Sequence, residues 1–194
     1  MYEIFLFFIE GDVLNNKTKI KHSLPNMLTF INLSLGIVAL LLAFQGEPIQ
    51  ASLLVMVAAL TDRFDGKVAR MLDCTSELGK ELDSLSDLVS FGVAPIVICW
   101  NISFMSIGPL GFLLAVIFPI AGAFRLARYN VTSFNNVFSG VPITIAGAFL
   151  SIANLYNSFA IIGKNYTIVN TIIVAILVVL LSYLMISKIQ IKKR

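Results

Sequence analysis

The stretch Asp62–Asp87, DRFDGKVARMLDCTSELGKELDSLSD, decides how this chain folds and what it can bind. It contains seven of the eleven acidic residues, and no Asp or Glu follows Asp87. The sequence beyond it is apolar over long runs, so these carboxylates differ from the scattered surface acids of a soluble protein. Ionised groups are costly at membrane depth and commonly mark function there. The stretch therefore predicts a functional site between membrane helices.

Composition places the chain in a membrane. Hydrophobic residues make up 58% of the 194 residues and charged residues 13%, and the mean hydropathy is +0.90. About 20 apolar residues in a helix cross the hydrocarbon core of a bilayer. We expect an all-α integral membrane domain, residues 24–194, with six transmembrane helices after a juxtamembrane segment, residues 1–23. The predicted spans are about 24–44, 51–71, 79–102, 109–130, 142–162 and 167–187.

Basic residues set the expected orientation. With six spans, thirteen of the fourteen Lys and Arg residues fall on the side of the two termini, and Lys164 falls opposite. This asymmetry predicts a multi-pass protein of the cell membrane with both termini in the cytoplasm. The net charge of +3 then reflects topology and anionic lipid headgroups, not nucleic-acid binding. The short apolar run Ile4–Ile9 predicts an interfacial helix and not a signal peptide.

The positions of two cysteines and one proline give two further structural predictions. Cys74 falls in a loop and Cys99 within the third span, so they predict neither a disulfide bond nor a metal site. Pro95 lies inside the third span and is expected to kink it, because proline cannot donate the helical hydrogen bond.

Helical geometry groups the acidic residues. At about 100° per residue, one face of the second span carries two carboxylates and two small residues: Asp62, Asp65, Gly66 and Ala69. One row of the next helix, at intervals of four residues, carries Gly79, Asp83 and Asp87. Small residues beside carboxylates let a ligand or a neighbouring helix approach the backbone. We therefore expect the carboxylates of the two helices to converge.

Converging carboxylates need compensating positive charge. Two carboxylates 4 Å apart repel by about 4 kcal/mol at an effective dielectric constant of about 20. Mg²⁺ or Mn²⁺ supplies such charge and prefers carboxylates together with phosphate oxygens, and Arg70 is placed to clamp a phosphate. Two alternatives stay open: inter-helical salt bridges at the membrane rim, and an ion-coupled transporter. Transporters, however, usually hold such groups near the bilayer midplane.

The spacing of the acidic stretch, D-x2-D-G-x2-A-R-x8-G-x3-D-x3-D, resembles the signature of the CDP-alcohol phosphatidyltransferases. All eight fixed residues are present, which makes the signal specific. The resemblance implies a six-helix membrane enzyme, typically a homodimer, whose active site faces the cytoplasm. It also implies two divalent ions, Mg²⁺ or Mn²⁺, that bind the diphosphate of a CDP-linked lipid.

The resemblance also assigns roles to individual residues. Asp87 would act as the general base, and Arg70 would contact the diphosphate. The metal ligands would be Asp62, Asp65, Asp83 and Asp87. The CDP site would be lined by Asn26, Thr29, Asp62, Gly66, Ala69, Arg70 and Gly79.

Sequence outside the motif indicates the acceptor alcohol. Family members that transfer the phosphatidyl group from CDP-diacylglycerol to L-serine, giving phosphatidylserine and CMP, are similar in four stretches: LPNMLT at 24–29, SELGKELDSLSDLVSFGVAP at 76–95, GAFRLARYN at 122–130 and SGVP at 139–142. Glycerol 3-phosphate and inositol phosphate are the alternative acceptors. Arg125 and Arg128 would either anchor the inner membrane surface or bind the serine carboxylate or a lipid headgroup.

Overall fold

The computed structural model describes the backbone of residues 16–72, 77–131, 138–187 and 190–191, and the side chains of residues 26–64, 77–131 and 140–187. Nearly all of this part is helical. The helices are α1 (Asn16–Phe44), α2 (Pro48–Leu72), α3 (Glu77–Asp87), a π-helix (Leu88–Val93), α4 (Ala94–Ile102), a 3₁₀-helix (Phe104–Ile107), α5 (Pro109–Val131), α6 (Ile143–Ile162) and α7 (Ile168–Ile186). The expected interfacial helix at Ile4–Ile9 and the residue Cys74 lie outside the described residues.

The prediction of a helical, multi-pass membrane protein is confirmed. In the described part, five helical segments are long and apolar enough to cross a membrane: Asn26–Phe44, Glu77–Ile102, Pro109–Val131, Ile143–Ile162 and Ile168–Ile186. The predicted second span corresponds to α2, a 25-residue helix that is not among these five. The side chains of residues 65–72 lie outside the described ones, so these five segments do not test whether α2 crosses the membrane.

Helix α1 begins earlier than the predicted first span. The sequence predicts a start near residue 24, whereas the helix begins at Asn16. Residues 16–23 include three lysines, which are good helix formers. The apolar part of the first span therefore begins near residue 24, whereas the helix itself already begins in the polar residues before it. At its other end, α1 turns through Gly46, which has a φ of 78°, and packs extensively along α2.

The third span is a continuous rod in which the π-helix joins α3 to α4, and it is the most buried of the five spans. The N–H of Ala94 bonds to the carbonyl of Val89, five residues earlier, so the helix widens just before Pro95. Pro95 directly follows this widening, and a wider turn relieves the clash between the proline ring and the carbonyl of the preceding turn. The irregularity expected from Pro95 thus takes the form of a π-helix on its N-terminal side.

Glycines on two neighbouring helices allow close approach to this rod. On α1, Gly36 packs against Ser90, with no room for a Cβ atom. On α6, a Cβ atom at Gly147 would lie 2.6 Å from the carbonyl oxygen of Phe91. Small residues at such positions let membrane helices pack backbone to backbone. The segment that directly follows Asp87 is therefore tightly enclosed.

The outward faces of the helices are apolar, as expected for a surface that contacts lipid. On α7, one stripe at helical spacing is buried: Val174, Val178, Leu181 and Met185. The opposite face is equally apolar but exposed: Ile172, Ile173, Ile176, Val179 and Leu180. Contiguous apolar surface of this extent is unfavourable in water. The exposed faces therefore support a location in the bilayer.

Two short strands are an exception to the all-α prediction. Strand β1 (Phe138–Ser139) pairs antiparallel with β2 (Gln190–Ile191). Gly140 follows β1 with a φ of 83°, and a Cβ atom there would lie 2.5 Å from the carbonyl oxygen of Met185. This pairing joins the connection before α6 to the segment after α7 and leaves the helical architecture unchanged.

Candidate active site

Three acidic side chains from two helices meet at one point. Asp62 lies in the last turns of α2, whereas Asp83 and Asp87 lie one turn apart on α3. One carboxylate oxygen of each residue lies within 4.8 Å of the others. Asp87 is 8% exposed, and the other two residues are half-buried. The structure thus brings together three of the four carboxylates that helical spacing groups in the sequence.

The cluster has the size and chemistry of a divalent-cation site. Oxygen ligands at about 2.1 Å from one Mg²⁺ ion lie at most about 4.2 Å apart. The three carboxylate oxygens lie within 4.8 Å, so small side-chain rotations bring them into that range. Three like charges in a partly buried space repel one another, and a cation relieves that repulsion. The residues present therefore fit a Mg²⁺ or Mn²⁺ ion.

Polar side chains from two other helices hold the cluster. On α6, Thr144 Oγ1 donates a hydrogen bond to Asp62 Oδ2 at 3.2 Å. On α1, Asn32 Nδ2 donates to Asp87 Oδ1 at 3.4 Å. Neither residue is predicted from the sequence. The available signals were their polarity within apolar spans and, for Thr144, its position just after the SGVP stretch.

Hydroxyl groups of the rod bind the backbone of α1 beside the cluster. Ser86 Oγ donates to the carbonyl of Thr29 at 3.1 Å, and Ser90 Oγ donates to the carbonyl of Asn32 at 3.0 Å. Thr29, a predicted CDP contact, is 5% exposed, and the predicted contact Asn26 is half-buried one turn earlier. Both predicted residues of the first span therefore lie on the part of α1 that packs against the rod.

The other predicted residues differ in how far the structure describes them. Gly79 lies on α3, one turn before Asp83, and is half-buried. The side chains of four predicted residues on α2 lie outside the described ones: Asp65, Gly66, Ala69 and Arg70. Their contacts with metal and nucleotide stay predictions.

Arg125 on α5 lies close enough to the cluster to interact with it electrostatically. It is half-buried, and burial disfavours its positive charge, while the negative charge of Asp87 partly offsets that cost. Its Nε atom is buried without a hydrogen-bond partner in the described part of the chain. Among the described acids, none forms an ion pair with it within 4.0 Å. A partly buried guanidinium with an unused donor suits the binding of a carboxylate or phosphate.

Arg128, three residues further along α5, has a different environment. Its guanidinium donates hydrogen bonds of 3.4, 2.8 and 3.4 Å to the carbonyl oxygens of Met185, Ile186 and Ser187. It also lies 5.9 Å from the ring centroid of Phe124. The last carbonyls of a helix lack intrahelical partners and carry partial negative charge. Arg128 therefore caps the C-terminus of α7.

Removal of this cap should destabilise the protein. We expect Arg128→Ala to lower the free energy of unfolding by about 1.5–3 kcal/mol, because a hydrogen bond to a charged group contributes about that much. Thermal unfolding in detergent micelles measures the change. Arg63→Ala, which removes an exposed arginine from α2, is the matched control. Equal melting temperatures of Arg128→Ala and the wild type would show that the α7 carbonyls do not need this cap.

Comparison with known proteins agrees with this geometry. A family model described as CDP-alcohol phosphatidyltransferase matches residues 22–191. The CDP-diacylglycerol–serine O-phosphatidyltransferase of Bacillus subtilis is 34% identical over 168 residues, which are 86% of this chain and 88% of that protein. The protein of the same name from Helicobacter pylori is 35% identical over 137 residues, 69% of this chain and 58% of that protein. An archaetidylserine synthase of Methanothermobacter thermautotrophicus is 33% identical over 172 residues, 87% of this chain and 69% of that protein. Since the family model spans nearly the whole sequence, the chain belongs to the CDP-alcohol phosphatidyltransferase family.

Proposed function

We propose that this protein transfers the phosphatidyl group of CDP-diacylglycerol to the hydroxyl of L-serine, which yields phosphatidylserine and CMP. The observation that carries the proposal is the convergence of Asp62, Asp83 and Asp87 within 4.8 Å in a chain of this family. Such a cluster suits a substrate diphosphate held through divalent cations. Family membership goes against the ion-coupled transporter, which would have no use for a CDP-linked substrate.

Two divalent ions, Mg²⁺ or Mn²⁺, are the proposed cofactors. Their proposed ligands are Asp62, Asp65, Asp83 and Asp87. When bound, the ions would neutralise the diphosphate and the charge that develops on the departing CMP. Thr144 fixes the orientation of Asp62, as outer hydrogen bonds to metal ligands commonly do.

The nucleotide is proposed to lie among helices α1, α2 and α3. Small residues in this region would let the substrate approach the backbone, and Arg70 would contact the diphosphate. The proposed CDP contacts are Asn26, Thr29, Asp62, Gly66, Ala69, Arg70 and Gly79. The bond between the Thr29 carbonyl and Ser86, the residue before Asp87, places Thr29 near the acidic cluster and supports the α1 side of this proposal.

In the proposed reaction, Asp87 accepts the proton of the serine hydroxyl while the hydroxyl oxygen attacks the lipid-side phosphorus. A P–O bond to serine forms, the P–O bond to the CMP phosphate breaks, and CMP leaves with the bonding electron pair. A neutral hydroxyl is a weak nucleophile, so a positioned base is needed. Asp87 supports this role because it is the most buried acid of the cluster and has a hydrogen-bond donor that orients it.

Serine is proposed as the acceptor on two grounds. The relatives from Bacillus and Helicobacter are named for serine, and the archaeal relative is named for archaetidylserine. Arg125, with its unused donor near Asp87, suits the carboxylate that serine carries, whereas Arg128 is engaged with α7. Glycerol 3-phosphate and inositol phosphate are the alternative acceptors, because guanidinium also binds phosphate.

The proposed setting is a homodimer with six spans, both termini and the active site on the cytoplasmic side of the cell membrane. Helix α2 would be the sixth span, because its 25 residues can cross the bilayer with the charged last turns at the cytoplasmic surface. The basic residues support this orientation, because thirteen of fourteen then face the cytoplasm.

A panel of acceptors tests the proposed function. Purified protein in detergent, supplied with CDP-diacylglycerol and Mn²⁺, should release CMP at least about tenfold faster with L-serine than with glycerol 3-phosphate or inositol phosphate. EDTA should abolish CMP release, and excess Mg²⁺ or Mn²⁺ should restore it. Faster CMP release with another alcohol would identify that alcohol, and not serine, as the acceptor. Turnover that survives EDTA would contradict the role of the metals.

A further inference from the structure

We propose that Asn32 is a positioning residue that holds Asp87 in its working orientation. The inference rests on the proposed function, because that function requires a fixed direction of the Asp87 carboxylate. Asn32 is fully buried, and its Nδ2 atom donates to Asp87 Oδ1 at 3.4 Å. This distance is at the long end for a hydrogen bond. Catalytic contacts often have such lengths before the substrate binds and shorten afterwards.

The backbone of α1 is held in place independently of the Asn32 amide. Ser90 Oγ donates to the Asn32 carbonyl at 3.0 Å, and Ser86 Oγ donates to the Thr29 carbonyl at 3.1 Å. Gly36 packs directly against Ser90 one turn further along α1. These contacts attach α1 to the rod through backbone groups. The side-chain amide is therefore not required to dock the helix.

Burial of this amide is unfavourable unless its polarity is used. The Oδ1 atom of Asn32 is buried and has no hydrogen-bond partner in the described part of the chain. A leucine of nearly the same shape would avoid that cost, and it would lose the bond to Asp87. The two effects have similar size and opposite sign. The amide thus adds little net stability, and its distinct contribution is a donor directed at Asp87.

A donor at this position matters because of the neighbours of Asp87. The carboxylates of Asp62 and Asp83 lie within 4.8 Å and repel it. A hydrogen bond to one Asp87 oxygen restricts rotation of the carboxylate and so fixes the direction of both oxygens. Loss of outer hydrogen bonds of this kind typically changes metal affinity or activity by about 10- to 100-fold.

The test compares Asn32→Leu with Ser90→Ala. We expect Asn32→Leu to lower kcat about tenfold and to raise the half-saturating Mn²⁺ concentration about tenfold. At saturating Mn²⁺, the KM for CDP-diacylglycerol should stay within about twofold, since the change acts through Asp87. A Mn²⁺ titration followed by thermal shift reports metal affinity without turnover. Ser90→Ala removes a hydrogen bond from the same helix contact but leaves the donor to Asp87, so it should match the wild type in kcat and Mn²⁺ affinity.

Two further measurements distinguish a positioning role of Asn32 from a packing role. Asn32→Gln keeps a donor on a longer side chain and should recover part of the lost Mn²⁺ affinity, and metal-free Asn32→Leu should melt close to the wild type. If Asn32→Leu lowers the metal-free melting temperature while kcat and Mn²⁺ affinity persist, Asn32 is a packing residue. The same conclusion follows if Ser90→Ala reproduces the losses. A wild-type protein that releases no CMP with serine would overturn the proposed function instead, and the Mn²⁺ affinities would still decide the role of Asn32.

Discussion

Asp87→Asn should abolish CMP release and leave the fold intact. A general base contributes about 10²- to 10⁴-fold to a rate, and since Asp87 is also a proposed metal ligand, we expect turnover to fall at least about 10³-fold. The amide has nearly the same size, and its oxygen can still accept the bond from Asn32 Nδ2. The substitution also removes one of three close carboxylates, which repel by about 4 kcal/mol per pair at 4 Å and an effective dielectric constant of about 20. The melting temperature in EDTA should therefore not fall below that of the wild type.

Glu77→Gln is the matched control for this substitution. It makes the same change from carboxylate to amide on α3, but the Glu77 side chain is 96% exposed and pairs with Lys80 at 3.4 Å. CMP release by this variant should stay within about twofold of the wild type, because exposed ion pairs contribute little. Initial rates and thermal scans on the same preparations give both quantities. Asp87→Asn turnover above about 1% of the wild type would mean that another group accepts the proton.

The acidic cluster could be predicted because helical periodicity decides which residues share a face. Asp83 and Asp87 are four residues apart and stay together wherever their helix packs. Asp62 comes from the preceding helix, and the short connection in the sequence between the two helices makes them neighbours. The structure brings these three carboxylates within 4.8 Å of one another. Local spacing and a short loop were sufficient for this part of the site.

The partners from α1 and α6 could not be predicted, because they depend on which helices flank the rod. Asn32 and its partner Asp87 are 55 positions apart, and Thr144 and its partner Asp62 are 82 positions apart. Each is a lone polar residue that no fixed spacing connects to the acidic stretch. Sequence patterns describe the face of one helix and not the order of helices around a centre.

The form of the π-helix and the different roles of the two arginines also depend on how the helices pack, which the sequence patterns do not describe. Pro95 signals an irregular helix, but a widened turn also needs neighbours that make room, here Gly36 and Gly147. Arg125 and Arg128 are three residues apart at one end of α5, so their sequence positions give them equal access to the inner surface. The position of the α7 C-terminus, which the sequence does not define relative to α5, separates their roles.

Arg125→Ala should raise the KM for serine by about 10- to 100-fold and change the KM for CDP-diacylglycerol far less. A hydrogen bond between charged groups contributes about 1.5–3 kcal/mol, and about 1.4 kcal/mol corresponds to a factor of ten. The buried Nε atom of Arg125 has no partner among the described residues, so the proposed serine carboxylate would be the group that uses it. Initial rates of CMP release over a matrix of serine and lipid concentrations separate the two KM values.

Ethanolamine and Arg128→Ala distinguish acceptor binding from a general electrostatic effect. Ethanolamine has the amine and hydroxyl of serine but lacks the carboxylate, so Arg125→Ala should change its KM by less than about threefold. Arg128→Ala should reduce stability, because the Arg128 guanidinium binds the α7 carbonyls. It should leave the serine KM unchanged, because KM does not depend on the fraction of the enzyme that is folded and active. Two results would contradict acceptor binding: an equal rise of the serine KM in Arg125→Ala and Arg128→Ala, or a rise of the ethanolamine KM in Arg125→Ala as large as that for serine. In either case, Arg125 would act on the cluster through its charge near Asp87 and not by binding the acceptor.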